Sequence, residues 1–459
     1  MFKKFVIYSS LYILTIWIVL SVFLLTPKEV NSFIFLRLII ILFATTLLIK
    51  YFIYMVVSPW YDVFVAKTSY NQNKINKSKN YNPKVTVLVP ARNEEDGILT
   101  TLRSLLKSSY KNLEIVIIDN ASTDKTQLNV KKLVEDHYKY IRDKEEQRVE
   151  IFCTEELKPG KGNALNKGIS VATGDIIISI DADCFVPLDT IKNFVKYFED
   201  PKVMAAVGNV KIGNSRSILE VVQYLEFLFS FYFKKCDSLL GSIYIIGGAA
   251  GAFRKEVFSQ IGVYSAVNIT EDIDLSFRIQ VAGMKIIYAE DAVVYTEGAA
   301  DFKGLIKQRL RWKRGRLETF LDYRQMFFST KKIHRKILSL FILPLAVFGD
   351  LQLFLELFFI IFVYIYSYLT NDYSSFISGI VVVNSMFMVQ IIFDVREKKR
   401  MNLFLLAPIG WLLLYASTFV EFSALIKTII GYLKKEEVKW QTWNRKGVFS
   451  EKIIINKDK

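Results

Sequence analysis

Apolar and polar positions alternate in three distinct ways along the chain. Phe5 to Leu25 carries no charged residue, and Phe33 to Val57 carries only Arg37 and Lys50, each near an end and able to reach a membrane surface along its own stem. Apolar runs of that length cross a bilayer, so residues 1–60 are predicted to form an N-terminal hairpin. The first run is too long for a secretory signal, and no small-residue cleavage pattern follows it. Between residues 61 and 330 short β-branched runs alternate with helical patterns. Lys84 to Ala91, Leu113 to Asp119, Val149 to Cys153 and Asp175 to Asp181 read as strands, with Glu94 to Leu106 and Lys125 to Tyr138 as helices between the first three. That order predicts an α/β domain built on a largely parallel sheet. A polar tether, Asn71 to Asn80, precedes it.

Over residues 331–459 the apolar texture returns. Leu343 to Leu369 and Ser375 to Phe393 read as spans joined by the polar turn Thr370 to Tyr373. Asp350 and Glu356 are costly in lipid and should face protein or water, unless Asp350 marks an interfacial bend beside Gly349. Asn402 to Tyr432 has basic stretches on both flanks, which favours an interfacial or re-entrant helix broken at Pro408 to Gly410, with Ser417, Glu421 and Lys427 on the wet side. Four crossings, with both termini and the α/β domain cytoplasmic, follow from that pattern.

Composition sharpens this picture. Of 459 residues, 52% are hydrophobic, which is high for a soluble enzyme. The net charge of +15 collects beside apolar runs, at Val395 to Arg400, at Lys331 and Lys332, and at Lys434 and Lys435. That placement fits the positive-inside rule and contact with anionic lipids, not nucleic acid. Cys153, Cys184 and Cys236 form no CxxC pair, and His137 and His334 are the only histidines. A disulfide framework, a zinc site and a histidine triad are therefore excluded, and the chemistry falls to carboxylates, Lys, Arg and backbone.

The strand Asp175 to Asp181 ends in two acids one residue apart, Asp181 and Asp183. Carboxylates at a strand end suit a hard cation such as Mg²⁺ or Mn²⁺, with a diphosphate supplying further oxygens. A solvated strand end would explain the same pair. Asp119 closes the strand Leu113 to Asp119 and should lie on the same sheet edge. Lys158 to Asn166 lacks the GxxxxGK[ST] spacing of a nucleotide-hydrolysing loop, yet Lys161 opening a helix can meet a phosphate, or can belong to a plain turn. Glu271 and Asp272 follow Thr270, a good N-cap, and acids in a first helical turn are favoured electrostatically whatever their chemistry. Gln308, Arg311, Trp312 and Gly315 share one face of a helix, leaving Arg309, Lys313 and Arg316 on other faces to meet lipid headgroups.

Taken in order, VPARNEE (Val89 to Glu95), IIDNASTD (Ile117 to Asp124), GKGNALN (Gly160 to Asn166), SIDADCF (Ser179 to Phe185), ITEDIDLSFR (Ile269 to Arg278) and QRLRW (Gln308 to Trp312) resemble the motif series of family 2 glycosyltransferases of the processive membrane type. That group includes the hyaluronan and cellulose synthases, and the likeness is strongest to the poly-N-acetylglucosamine synthases. The resemblance implies a cytoplasmic GT-A domain that uses a UDP-sugar, N-acetylglucosamine being the expected sugar, and extends a polysaccharide. It implies a donor site at Pro90, Arg92, Glu94, Asp119, Lys161, Gln308, Arg311 and Trp312, with Asp119 reading the uracil ring. It also implies that Asp181 and Asp183 hold the cation, that Asp272 is the general base supported by Glu271, and that Gly248 and Trp312 meet the acceptor. Lys439 to Lys446 is similar to the loop that closes over the nucleotide in such enzymes, and equally to a membrane-surface tail. A small accessory membrane subunit is a further partner of this kind of enzyme. Two departures stand out: Gly247 to Gly251 lacks the Ser or Cys of the relatives, and Asn120 replaces the second of the commoner paired acids, which should matter little if only Asp119 reads the base. Single-sugar transfer to a lipid acceptor, and a nucleotide-binding membrane sensor without turnover, are the alternatives; the intact acids count against the second.

Overall fold

The computed structural model describes residues 53–65, 81–144, 149–214, 217–393 and 407–436, with isolated positions 13, 17 and 35. The first predicted span, most of the second, the polar tether, the basic run at 395–400 and the aromatic tail at 439–446 lie outside the described residues. The described residues divide into two compact units. One is helical, built from 53–65, 228–239, 345–393 and 407–423; the other is α/β, built from 81–144, 149–214, 217–227, 240–344 and 424–436.

The α/β unit rests on runs that are apolar at nearly every position, as strands covered on both faces must be. β1 (Val85–Ala91) and β2 (Leu113–Asp119) are buried almost throughout and pair in parallel, from Val85 opposite Leu113 to Ala91 opposite Asp119. β4 (Ile176–Ser179) pairs in parallel on the other side of β1, and β3 (Glu150–Glu155) lies beyond β2. β5 (Val203–Ile212), β6 (Gly251–Arg254) and β7 (Lys285–Thr296) complete a seven-stranded sheet of order β3-β2-β1-β4-β6-β5-β7. β6 runs antiparallel to both neighbours, so the sheet is mixed but mostly parallel. From β1 the chain proceeds to β2 and β3 on one side and returns to β4 on the other. The carboxyl ends of β1 and β4 therefore flank a point where strand order reverses, the usual ligand crevice of an open α/β sheet.

Helices follow the strands. In chain order they are α1 (Ile53–Val65), α2 (Ile98–Leu106), α3 (Thr126–Lys144), α4 (Lys161–Val171), α5 (Thr190–Val195), α6 (Ile218–Leu240), α7 (Lys255–Ile261), α8 (Glu271–Val281), α9 (Phe302–Asp322), α10 (Leu343–Thr370), α11 (Ser374–Phe393) and α12 (Gly410–Leu433). Two boundaries differ from the sequence reading in ways that matter. α2 begins at Ile98 because Gly97 and Ile98 both donate to the Glu94 carbonyl, leaving Arg92 to Glu94 in a turn. β4 stops at Ser179, so Asp181 and Asp183 lie in the turn beyond the strand.

In the helical unit Met55, Tyr232, Met386 and Val389 form one apolar cluster. Two part-buried polar contacts lie within the unit: Lys235 with Asp62 at 3.0 Å, and the Tyr54 hydroxyl donating to Asp237 at 3.0 Å. The turn predicted between α10 and α11 is present, with Asp372 accepting from the Ser374 amide at 3.1 Å and from the Tyr366 hydroxyl at 3.0 Å. Glu356 is half-buried with Thr418 as hydrogen-bond partner, in line with its expected turn toward protein. The break expected at Pro408 to Gly410 coincides with the start of α12, and residues 402–406 of that expected helix lie outside the described residues. Pro408 lies in a short 3₁₀ turn ahead of the helix, where a missing amide is tolerated, and α12 then runs unbroken for 24 residues. Among the described residues Leu338–Glu356 and Gly410–Leu433 are long and apolar enough to cross a membrane.

Candidate active site

The tips of β1 and β2 are tied to one another before any ligand is considered. The Asn93 amide donates to Ser122 Oγ at 3.1 Å, the Thr123 amide to Asn93 Oδ1 at 2.8 Å, the Glu94 amide to Thr126 Oγ1 at 2.7 Å, and the Lys125 amide to Glu95 Oε2 at 2.9 Å. Pro90 and Arg92 are thereby held, half-buried, on the rim beside β2. Asp119, the last residue of β2, is 6% exposed; its Oδ1 is buried with no hydrogen-bond partner, and its Oδ2 takes only a long bond of 3.4 Å from the Ser122 amide. A buried acceptor left unsatisfied costs about 1–3 kcal/mol, so an N–H donor from a ligand would be strongly favoured there.

Asn120 is a residue that the sequence reading underrated. It is almost fully buried, and its side-chain amide donates to the Glu156 carbonyl at 3.0 Å and the Lys158 carbonyl at 2.7 Å while accepting from the Gly160 amide at 2.7 Å. Its backbone amide donates to Ala91 at 2.8 Å. One side chain thus fixes the loop that launches α4. The signal was the departure at this position from the paired acids that the resemblance implied, but the carbonyls to which an amide can donate and a carboxylate cannot lie 36 to 38 residues away.

α4 opens at Lys161, and its first turn sits directly on backbone: a Cβ on Gly162 would fall 2.2 Å from the Ser265 carbonyl oxygen. The Lys161 ammonium lies 2.5 Å from Asp181 Oδ1 and 3.6 Å from Glu271 Oε1, and Asp272 adds to the field around it. Of the two functions left open for Lys161, the structure shows neither directly; it shows a buried counterion to three carboxylates. The Asp181–Asp183 turn is pinned by Thr101 Oγ1 donating to the Ala182 carbonyl at 2.7 Å and by the antiparallel bridge between Phe185 and Tyr295. Asp119 and Asp181 are on one edge of the sheet, two strand spacings apart, about 10 Å across.

The N-terminus of α8 brings the other acids. Thr270 makes no capping bond; its hydroxyl donates to Asn268 Oδ1 at 3.1 Å, so the first turn relies on Glu271, Asp272 and Asp274. Asp272 accepts from the Gly248 amide at 2.9 Å through Oδ2 and from the Ile273 amide at 2.9 Å through Oδ1. The Gly248 carbonyl is held by Ser179 Oγ at 3.0 Å, and a Cβ on Gly248 would come within 2.6 Å of the Lys161 ammonium. A side chain there would have to displace the tip of Lys161 from its place among the acids.

Three carboxylates around one ammonium leave excess negative charge. Burial, and then the charge of Asp272, push Glu271 up to about 7 against the pull of Lys161 and Arg311. An acid whose folded value is raised binds its proton more tightly in the native state, so stability falls as pH rises from its ordinary range near 4.5 through about 7. Glu271→Gln removes that loss. The gain in Tm of the variant over the wild type is expected to be larger by a few degrees at pH 8 than at pH 5, measured by thermal unfolding of purified protein. An equal difference at both pH values would show that Glu271 does not carry the excess proton.

α9 supplies the last face. A Cβ on Gly315 would fall 2.1 Å from Thr270 Oγ1, so this glycine lets α9 meet the start of α8, and Arg311, one turn earlier, acts electrostatically on Glu271. Gln308 is nearly buried with Oε1 unsatisfied. Trp312 packs with the Arg309 guanidinium 4.5 Å from its ring centroid and with Phe227 at 6.3 Å. This corrects the expectation for Arg309. It does not face headgroups but is 5% exposed and ion-paired with Glu226 of α6, because the indole and the carboxylate together satisfy a buried guanidinium.

The model of Glycosyl transferase family 2 matches residues 86–262, and that of Glycosyl transferase family group 2 matches residues 176–422, more than half of the chain. The chain is 33% identical over 288 residues to a poly-beta-1,6-N-acetyl-D-glucosamine synthase of Staphylococcus aureus, the alignment covering 62% of this chain and 66%, just under two thirds, of that relative. A synthase of the same name from Staphylococcus epidermidis is 28% identical over 411 residues, covering 85% of this chain and 94% of the relative. Among solved structures, a mannosyltransferase of Pyrobaculum calidifontis in complex with GDP-Man and Mn²⁺ shares the fold with a TM-score of 0.50 at 21% identity, over 84% of this chain and 99% of that one. The sheet is of the GT-A type that the motif order implied. With both family models falling on the strands and helices that gather these acids, the chain belongs to glycosyl transferase family 2.

Proposed function

We propose that the protein is a membrane-integral, inverting glycosyltransferase that moves N-acetylglucosamine from UDP-N-acetylglucosamine to a growing polysaccharide, with its catalytic unit on the cytoplasmic side. The observation that carries this proposal is the convergence of Asp181, Glu271 and Asp272 on Lys161 beside the Gly248 backbone. The names of the staphylococcal relatives support the sugar and the polymer, and the two long apolar helices support the membrane.

In this scheme the unsatisfied Asp119 Oδ1 accepts the ring N–H of uracil, with Pro90, Arg92 and Glu94 lining the rim. Gln308 and Arg311 bind diphosphate oxygens, and Trp312 offers its indole to a sugar ring. Asp272 takes the proton of the acceptor hydroxyl as its oxygen attacks the anomeric carbon; the bond to UDP breaks on the opposite face, giving inversion in one displacement. The Gly248 and Ile273 amides hold the Asp272 carboxylate in place for that transfer.

Asp181 and Asp183 present an all-oxygen donor pair that fits Mg²⁺ or Mn²⁺. No group of three His, Cys, Asp or Glu side chains among the described residues could hold a metal alone, so the pair would share the cation with diphosphate and water. When bound, it would neutralise charge on the departing UDP.

The test is UDP release by the purified full chain with a panel of UDP-sugars and either cation, followed by mass spectrometry of the product. Release specific to UDP-N-acetylglucosamine with a polymeric product is expected. A lipid carrying a single sugar would sink the polysaccharide assignment, and no release with any UDP-sugar would sink the enzyme itself.

A further inference from the structure

The segment that leads from α9 into the membrane-length stretch Leu338–Glu356 has a chemistry unlike the rest of the α/β unit. From Arg324 to Phe341 it holds five cations, Arg324, Lys331, Lys332, Arg335 and Lys336, and no acid. None of the five is ion-paired with an acid among the described residues. The same segment exposes large apolar side chains: Phe328 and Phe341 at 65%, Ile333 at 56%, and Ile337 and Leu340 as well. Ile337, Leu340 and Phe341 have the spacing of one helical face, and the Phe328 amide donates to the Ser339 carbonyl at 2.9 Å, which brings Phe328 alongside that turn.

This surface is built, not loose. His334 is buried with its Nδ1 2.6 Å from Ser329 Oγ, and the Lys336 ammonium donates to the Lys331 carbonyl at 2.7 Å, closing the loop on itself. Ile333 leans on Gly283, whose φ of +68° and missing Cβ make room: a Cβ there would lie 2.6 Å from Ile333 Cγ1. The exposed side chains are thus held out by an ordered scaffold at no further conformational cost on binding.

We propose that residues 324–341 form a preorganised wedge that seats in the headgroup layer of an anionic phospholipid leaflet, its apolar tips in the acyl boundary and its cations on lipid phosphates. This rests on the membrane-integral assignment and adds to it a lipid class and a defined docking element. Free phosphate would satisfy the cations but not the apolar tips; a bilayer surface with negative charge satisfies both. Continuity argues for the same occupant, because the segment overlaps the start of the membrane-length stretch Leu338–Glu356.

The test uses the full chain in nanodiscs of phosphatidylcholine with or without phosphatidylglycerol. With Cys153, the one cysteine that is not fully buried, replaced by Ser, Phe328→Cys and Ile333→Cys variants carry an environment-sensitive NBD label at positions outside the membrane-length stretch. Blue-shifted emission quenched by nitroxide lipids is expected at both. The preference for spin-labelled phosphatidylglycerol over phosphatidylcholine is expected to drop roughly fivefold for each cation neutralised in Lys331→Gln and Lys332→Gln, and to fall with added salt. Water-like, unquenched labels on a chain that resists alkaline carbonate extraction would overturn the wedge alone, as would an unchanged lipid preference in the double variant. Extraction of the chain by carbonate would overturn the membrane assignment together with it.

Discussion

Asp272→Asn is expected to reduce turnover about 10³-fold while leaving UDP affinity within a few fold of wild type. The substitution preserves shape, and the amide oxygen can still accept from the Gly248 or the Ile273 backbone N–H, so the loop and the start of α8 remain tied. What is lost, on the proposed scheme, is the lone pair that takes the acceptor proton. The other acids are poor substitutes: Glu271 is 5% exposed and shares Lys161, and Asp181 is bound to the same ammonium at 2.5 Å. UDP release by purified protein gives the turnover, and calorimetric titration with UDP gives the affinity. Turnover within tenfold of wild type would remove Asp272 from the base role; a parallel loss of UDP binding would mean that it holds the donor instead.

Much of the frame behind that prediction was legible because burial leaves a simple trace. β1, β2 and β4 are covered on both faces, so their sequences are unbroken apolar runs and their ends coincide with Asp119 and the Asp181–Asp183 turn. β5 and β7 carry polar interruptions, Asn209 and Lys211 in one and Glu290 and Asp291 in the other, and their pairing shifts register between Gly208 and Asn209. A bulge of that kind breaks the two-residue period on which strand recognition depends. The acids of the candidate site could be read as residue types at strand and helix ends. Their shared counterion could not, since Lys161 is 20 residues from Asp181 and 110 from Glu271 in sequence, and only the fold supplies the 2.5 and 3.6 Å separations. Helical spacing separated Arg309 from Arg311 correctly but could not say what covers each face. A partner on α6, Glu226, decides that Arg309 is interior.

The same limit applied to Asn120, and it leads to the second large effect. Asn120→Asp changes one atom group in a buried position, yet kcat/KM at pH 8 is expected to fall about 10- to 100-fold. A carboxylate cannot donate to the Glu156 and Lys158 carbonyls, so two bonds of 3.0 and 2.7 Å become repulsive contacts, each costing about 1–3 kcal/mol. The Gly160 amide still finds an acceptor, but the loop between those carbonyls and Lys161 loses its anchor, and a second negative charge arrives next to Asp119. Both consequences act on the donor site without touching the acids around Lys161 directly. A carboxyl facing two carbonyls and a neighbouring acid takes up a proton readily, and once protonated it regains one donor. Activity of the variant relative to wild type should therefore climb as pH falls from 8 toward 6, whereas Asn120→Ala, with no donor at any pH, should show no such recovery. Parallel pH profiles for the two variants would show that the amide serves only packing.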